Sequence, residues 1–290
     1  MATESDNDQG NIASNPPPQT ASVLGDNEHP MPDDTVSHLS IQVKLSCTPC
    51  KMIYYIVLVT SSQNVLERQR ARTLPALGAE LGVPNLVTLT WHFLFNQYHP
   101  DDDHDPTDIP LLDCPRYDGS INVYNSACVR FFAPSDLSGI GGMQKEFIRS
   151  TPLWRKEGCR KDCVYITTNV DDLEATGMDV FDIARVLVFF TFTCRDGRHF
   201  PCAIVWWFDK IGDSPDEDTG MWMVRPGYLP NHSPNYAVIH LDSIYHAAHL
   251  IPVYGMDPIS RNIKPHSCYD AFCAFYVNKY VDHHTFEIAR

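Results

Sequence analysis

A chain of 290 residues is long enough for one large domain or two small ones, and a single domain with a sizeable core is the simpler expectation. Its 22 Lys and Arg stand against 36 Asp and Glu, a net charge of -14, so the average surface repels phosphate backbones and anionic lipid, and any nucleic-acid contact needs a local basic patch. The first residues are acidic and polar with no apolar signal core, and the longest apolar run, Met52 to Val59, falls far short of the ~20 residues of a membrane helix, so a soluble, intracellular protein without a membrane partner is expected.

In chain order, Met1 to about Ser40 is rich in Asn, Pro, Ser, Asp and Thr. It has too few large apolar residues to offset its ordering entropy, and a disordered acidic leader over 1–40 is expected. Ile41 to Thr60 alternates and then turns continuously apolar and β-branched, which makes 41–64 a strand-like segment with no evident place. Val65 to Leu81 has helical spacing, and Leu86 to Gln97 repeats it with Leu86, Leu89, Phe93 and Phe95. A helical hairpin followed by the acidic, Pro-containing loop Pro100 to Pro115 is therefore predicted for 65–119.

From Ser120 the pattern changes to strands: Ile121 to Phe132, Val164 to Thr168, Ile183 to Cys194, Cys202 to Phe208, Met221 to Val224 and Tyr236 to Leu241. Arg195-Asp196-Gly197-Arg198 supplies the Asp-Gly of a tight hairpin turn between two of these runs. Both runs are apolar at nearly every residue, which requires burial on two faces and favours a small closed barrel over an open sheet. Asp270 to Ala289 carries Ala271, Phe272, Phe275, Tyr276, Lys279 and Tyr280 near helical spacing and predicts a C-terminal helix on the barrel. The fold class expected is mainly β (α+β), with the barrel module and its C-terminal helix over 120–290.

Ten cysteines without a secretory signal are expected as reduced thiols. Cys47-Thr48-Pro49-Cys50 has the spacing of a zinc knuckle, but no second pair lies at knuckle distance and Cys159 and Cys163 are three residues apart. Zinc wants four ligands, so idle or buried thiols are the simpler reading, and no cofactor is expected. Asn231-His232-Ser233 is a glycosylation acceptor only in a secreted protein.

Asp218-Thr219-Gly220 is the tripeptide of aspartic proteases, yet Asp216 and Glu217 precede it and Met221 follows, where a buried apolar strand and a small residue are needed. Asp213, Asp216, Glu217 and Asp218 sit in one loop, whereas metal carboxylates converge from separate elements. Gly212-Asp213-Ser214-Pro215-Asp216 lacks the second glycine of a nucleophile elbow, and no phosphate-cradling glycine loop is present. The best metal constellation is His240 and Asp242, on one side of a strand, with His246 and His249, which share a helical face if a turn follows. It supports an alternative reading, a metal-dependent hydrolase or nuclease.

Charge reverses between Lys145 and Lys161, where Lys145, Arg149, Arg155, Lys156, Arg160 and Lys161 stand against Glu146 and Glu157, with Phe147 and Trp154 interleaved. Cations beside flat aromatics can grip a nucleic-acid backbone or an acidic peptide. The other reading is a solvated linker that Trp154 anchors to the barrel.

The strings Ala133-Pro134-Ser135-Asp136-Leu137, Ile148-Arg149-Ser150-Thr151-Pro152-Leu153-Trp154, Pro215-Asp216-Glu217-Asp218-Thr219-Gly220-Met221-Trp222, His249-Leu250-Ile251-Pro252-Val253-Tyr254-Gly255 and Phe275-Tyr276-Val277-Asn278-Lys279-Tyr280 resemble the C-terminal region of proteins encoded by Plavaka-type DNA transposons of mushroom-forming fungi. That resemblance implies a solo or truncated piece of a transposon-encoded protein, since the family's transposase core lies upstream. The order of strands from Asp162-Cys163-Val164-Tyr165-Ile166 to Ile239-His240-Leu241 is similar to a bromo-adjacent homology (BAH) domain. Such domains are non-catalytic modules, and the resemblance implies a chromatin, protein or nucleic-acid partner and a place in the nucleus.

Overall fold

The computed structural model describes residues 55–59, 70–102, 104–133, 142–168, 176–256 and 258–290. The expected leader and the Cys47/Cys50 pair lie outside these residues. The chain is mostly β, and its main sheet is a nearly closed antiparallel barrel accompanied by a few short helices.

Strand β1 (Tyr55–Val59) answers the question of where the early apolar run goes: it pairs antiparallel with β3 (Ser126–Phe132). Helix α1 is Leu74–Leu81; of the helical spacing read from Val65, residues 65–69 lie outside the described residues and 70–73 are not helical. The Thr73 hydroxyl caps the Ala76 N–H and Pro75 sits in the first turn, so the start signal lies at Thr73. Gly82, at φ 71, ends the helix in a left-handed conformation that a side chain would strain. Helix α2 (Leu86–Tyr98) completes the expected hairpin.

The run 121–132, expected as one strand, is two. Strand β2 (Asn122–Tyr124) belongs to the barrel sheet, β3 belongs to a separate four-stranded sheet, and the chain changes sheets at Asn125. There the Arg70 guanidinium donates to Asn125 Oδ1 at 2.6 Å and the Asn125 carbonyl accepts from Ser150 at 2.8 Å. The backbone carbonyl at the crossing is thus paired although Asn125 belongs to neither strand.

The four-stranded sheet runs β1-β3-β4-β5, with β4 at Met143–Trp154 and β5 at Gly158–Lys161. The barrel is centred on the hairpin of β7 (Phe181–Thr193) and β8 (His199–Ile211), whose turn has Gly197 at φ 87 as the Asp-Gly signal requires. Strand β6 (Cys163–Thr167) pairs with one half of β7 and β2 with the other. On the far edge β8 is shared by β9 (Met223–Pro226) and β10 (Tyr236–His240). The path continues through β13 (Phe275–Val277) to β12 (Leu250–Pro252), and at the opposite end stands β11 (Ile244–Ala248). Only His249 separates β11 from β12, so the two ends of the sheet meet.

A bulge in β7 explains how so apolar a strand is buried on both faces. Ala184, Val186 and Phe189 pack toward the four-stranded sheet, while Leu187, Val188, Phe190 and Phe192 pack under the helical hairpin with Leu77, Leu86, Phe93 and Leu94. The register shift between Val186 and Val188 inverts the alternation between these two sets. A third cluster, with Tyr165, Phe208, Trp222, Val224, Phe275 and Val277, fills the other end of the barrel.

The C-terminal helix predicted over 270–289 is not formed. The segment holds a short helix α3 (Cys268–Ala271), strand β13 and a second short helix α4 (His283–Ile288). Phe275 and Val277 are buried two residues apart, and β13 closes ladders with β9 and β12, so period two prevails where helical spacing is also present. Asp282 caps the Thr285 N–H at 2.7 Å and delays the helix start.

Among the described residues no helix is long and apolar enough to cross a membrane, and the eight cysteines there are free thiols.

Candidate nucleic-acid interface

The segment 145–161 is a β-hairpin, not a solvated linker. Strands β4 and β5 pair from Ser150↔Lys161 to Trp154↔Gly158, and Arg155 and Lys156 take φ values of 50 and 63 in the turn between them. Alternation on β4 then sorts the side chains. Ile148 and Ser150 face inward and are buried, while Lys145, Phe147 and Arg149 face outward.

Outward, cations collect over aromatic rings. Lys145 Nζ lies 4.8 Å from the Phe147 ring centre and the Arg149 guanidinium 5.6 Å from it. Trp154, half-buried, has Arg149 at 4.9 Å, Arg160 at 5.1 Å and Arg155 at 5.8 Å from its ring. A bulge between Thr151 and Trp154 brings the indole onto the same side as Arg149. Burial, and then the neighbouring Arg160 and Arg155 charges, hold the Arg149 guanidinium below its usual pKa against the pull of Asp162. Asp162 answers only part of this charge: it accepts from Arg160 Nε at 2.8 Å and from the Arg149 backbone N–H at 2.8 Å.

Two assignments change. Lys161 leaves the patch, because on β5 it points away from Arg160 toward Arg185; burial and then that cation depress its ammonium pKa. Arg130 joins it, being exposed on β3 and directly opposite Lys145. Nothing in the local sequence marks Arg130, since only the β3–β4 register places it there.

The histidines do not assemble as a ligand set. His240 Nδ1 contacts Asp242 Oδ1 across the turn after β10. His246 lies on strand β11 rather than on a helical face; His246 Nδ1 and His249 Nε2 stand 3.6 and 3.8 Å from Glu146 carboxylate oxygens. Among the described residues no three His, Cys, Asp or Glu side chains could hold a metal ion. Asp218 is exposed in a turn that Asp216 stitches by accepting from the Thr219 N–H and hydroxyl at 2.9 and 2.7 Å.

No family model, curated protein or solved structure matches this chain.

Proposed function

We propose that this chain is a non-catalytic interaction module, akin to BAH domains and to the C-terminal region of Plavaka-type proteins, that holds a nucleic-acid backbone on the outer face of the β4–β5 hairpin. The observation that supports it is the gathering of Arg149, Arg155 and Arg160 around Trp154, with an ion pair to Asp162 from Arg160. Like charges held together cost energy that phosphates relieve, and a guanidinium over an indole presents its edge N–H groups to phosphate oxygens, although Arg160 already directs part of its edge to Asp162. Flat aromatics beside them suit the bases of an unpaired strand. A chain with net charge -14 then binds only where this local field outweighs the average one. The resemblance to transposon-encoded and chromatin modules favours a nuclear, nucleic-acid partner over an acidic peptide. The metal-dependent hydrolase alternative gains nothing from histidines that divide between Asp242 and Glu146.

Fluorescence anisotropy with single-stranded and duplex oligonucleotides across a salt series tests this reading. Replacing Arg149, Arg155 and Arg160 together with Ser should weaken binding at least ~10-fold and flatten the log–log salt slope by about 2 to 3 units, one per lost phosphate contact. An unchanged slope at unchanged melting temperature rejects the proposal.

A further inference from the structure

One chemical pattern recurs in this molecule: a guanidinium laid over an aromatic ring and tied to a nearby aspartate. Arg198 lies 3.8 Å from the Tyr98 ring centre and donates to Asp196 at 2.8 Å. Arg185 lies 5.3 Å from Tyr269 and forks onto Asp270 at 2.6 and 3.4 Å. Arg160 does the same with Trp154 and Asp162, at 5.1 and 2.8 Å. A fourth aromatic and acidic set lines a cleft of about 510 Å³ between β8, β9 and α3, built on Trp206, Tyr228 and Asp209.

Its walls are firm. Trp206 Nε1 donates to the Gly227 carbonyl at 2.7 Å, which fixes the indole, and Tyr228 meets it edge to face at 5.6 Å and 84°. Tyr236 braces Trp206 from another side at 5.9 Å. Yet among the described residues no cation lies over Trp206 or Tyr228. The near candidate, Arg225, sits directly across the ladder from Asp209, with Nε 4.0 Å from the carboxylate and over no ring. Asp270 on the opposite wall is already engaged by the buried Arg185 at 2.6 Å, whereas Asp209 holds only the longer 4.0 Å pair with Arg225 at the cleft wall and can still take a closer donor.

We infer that this cleft binds the guanidinium of an arginine side chain on a partner peptide, stacked in the Trp206–Tyr228 corner and forked onto Asp209. Arginine is favoured over lysine because the plane of the guanidinium matches both the ring face and the carboxylate, whereas an ammonium is a point charge that stays hydrated. A cleft of about 510 Å³ exceeds one side chain and leaves room for the backbone that flanks an arginine in a peptide. This site is separate from the β4–β5 hairpin and answers a different partner.

The test is a titration of the full chain, followed by NMR at the Trp206 indole N–H, with blocked Gly-Arg-Gly, blocked Gly-Lys-Gly and agmatine. Saturable shifts with the arginine peptide, at least ~10-fold weaker affinity for the lysine peptide and weaker affinity for agmatine are expected. Asp209→Asn and Tyr228→Ser, both at exposed side chains, should each weaken the arginine peptide about fivefold or more at unchanged melting temperature and unchanged nucleic-acid affinity. The inference is overturned by absence of saturable shifts, by equal affinity for the lysine peptide or agmatine, or by variants that bind as the parent does.

Discussion

Glu146 and Trp154 lie on the same strand and show how far one residue's role depends on which way it points. Inward, burial alone would raise the Glu146 carboxyl pKa; contacts from His246 and His249, the His246 charge and the Ala247 N–H bring it down to about 2. Nearby, burial and then the His246 charge lower His284 from 6.5 to about 4. For both groups the unfolded chain binds the proton first as pH falls. Stability should therefore drop from about pH 6.5 to 4 through His284 and from about 4.5 to 2 through Glu146. His249 works in the opposite sense, since its contact with Glu146 raises its pKa; its contribution is present below 6.5 and fades as pH rises past the folded value. His284→Gln keeps a polar partner for the Tyr245 hydroxyl and removes the titration. Melting curves of this variant should lose up to ~3 kcal/mol of the parent's pH dependence between pH 6.5 and 4, at ~1.4 kcal/mol per unit; an undiminished dependence contradicts the assignment. Outward, Trp154 belongs to none of the three buried clusters. Trp154→Ala should weaken oligonucleotide binding in the anisotropy assay while costing well under the ~3–5 kcal/mol of a buried aromatic. A large loss of stability with intact binding would make it an anchor instead.

At the scale of elements, the β4–β5 hairpin closes on two residues that suit their φ values poorly. Arg155 and Lys156 occupy left-handed positions, φ 50 and 63, where Asn and Gly rest without strain. Arg155→Asn with Lys156→Gly should raise stability by ~1 kcal/mol in thermal melts and lower nucleic-acid affinity in the same protein. Stabilisation with undiminished affinity would remove the turn from the interface. Much at this scale was legible in the sequence. The Asp-Gly turn before Arg198, the apolar runs of β7 and β8 and the helical hairpin each follow from residue types within a few positions. What misled was local ambiguity. Phe275 and Val277 fit period two while their neighbours also fit a helical face, and the spacing of His246 and His249 fits a helical face if a turn follows, with no local signal for the strand β11. The hairpin itself is not legible in the sequence because its alternation is of charge and aromatic rings, not of polar and apolar residues.

For the whole molecule, β13 is the strand that lets the barrel close, since it joins β9 to β12 while Phe275 packs edge to face on Phe208 at 5.9 Å. Phe275 is fully buried, so Phe275→Ala should cost ~3–5 kcal/mol. It should also lower the melting temperature seen by tryptophan fluorescence and by circular dichroism in a single coincident transition. Two separate transitions would show that the closing strand and the central hairpin are stabilised independently. The sequence by itself determined the fold class of this protein: strands apolar on both faces favour a closed barrel over an open sheet, and one cluster of cations in an acidic chain singles out 145–161. Only the tertiary structure decided which cations stand side by side. Strand register brings Arg130 beside Lys145 from outside that cluster, alternation turns Lys161 away, and the β8–β9 ladder sets Asp209 by Trp206 and Tyr228. Register is a relation between segments distant in sequence, so no local pattern can carry it.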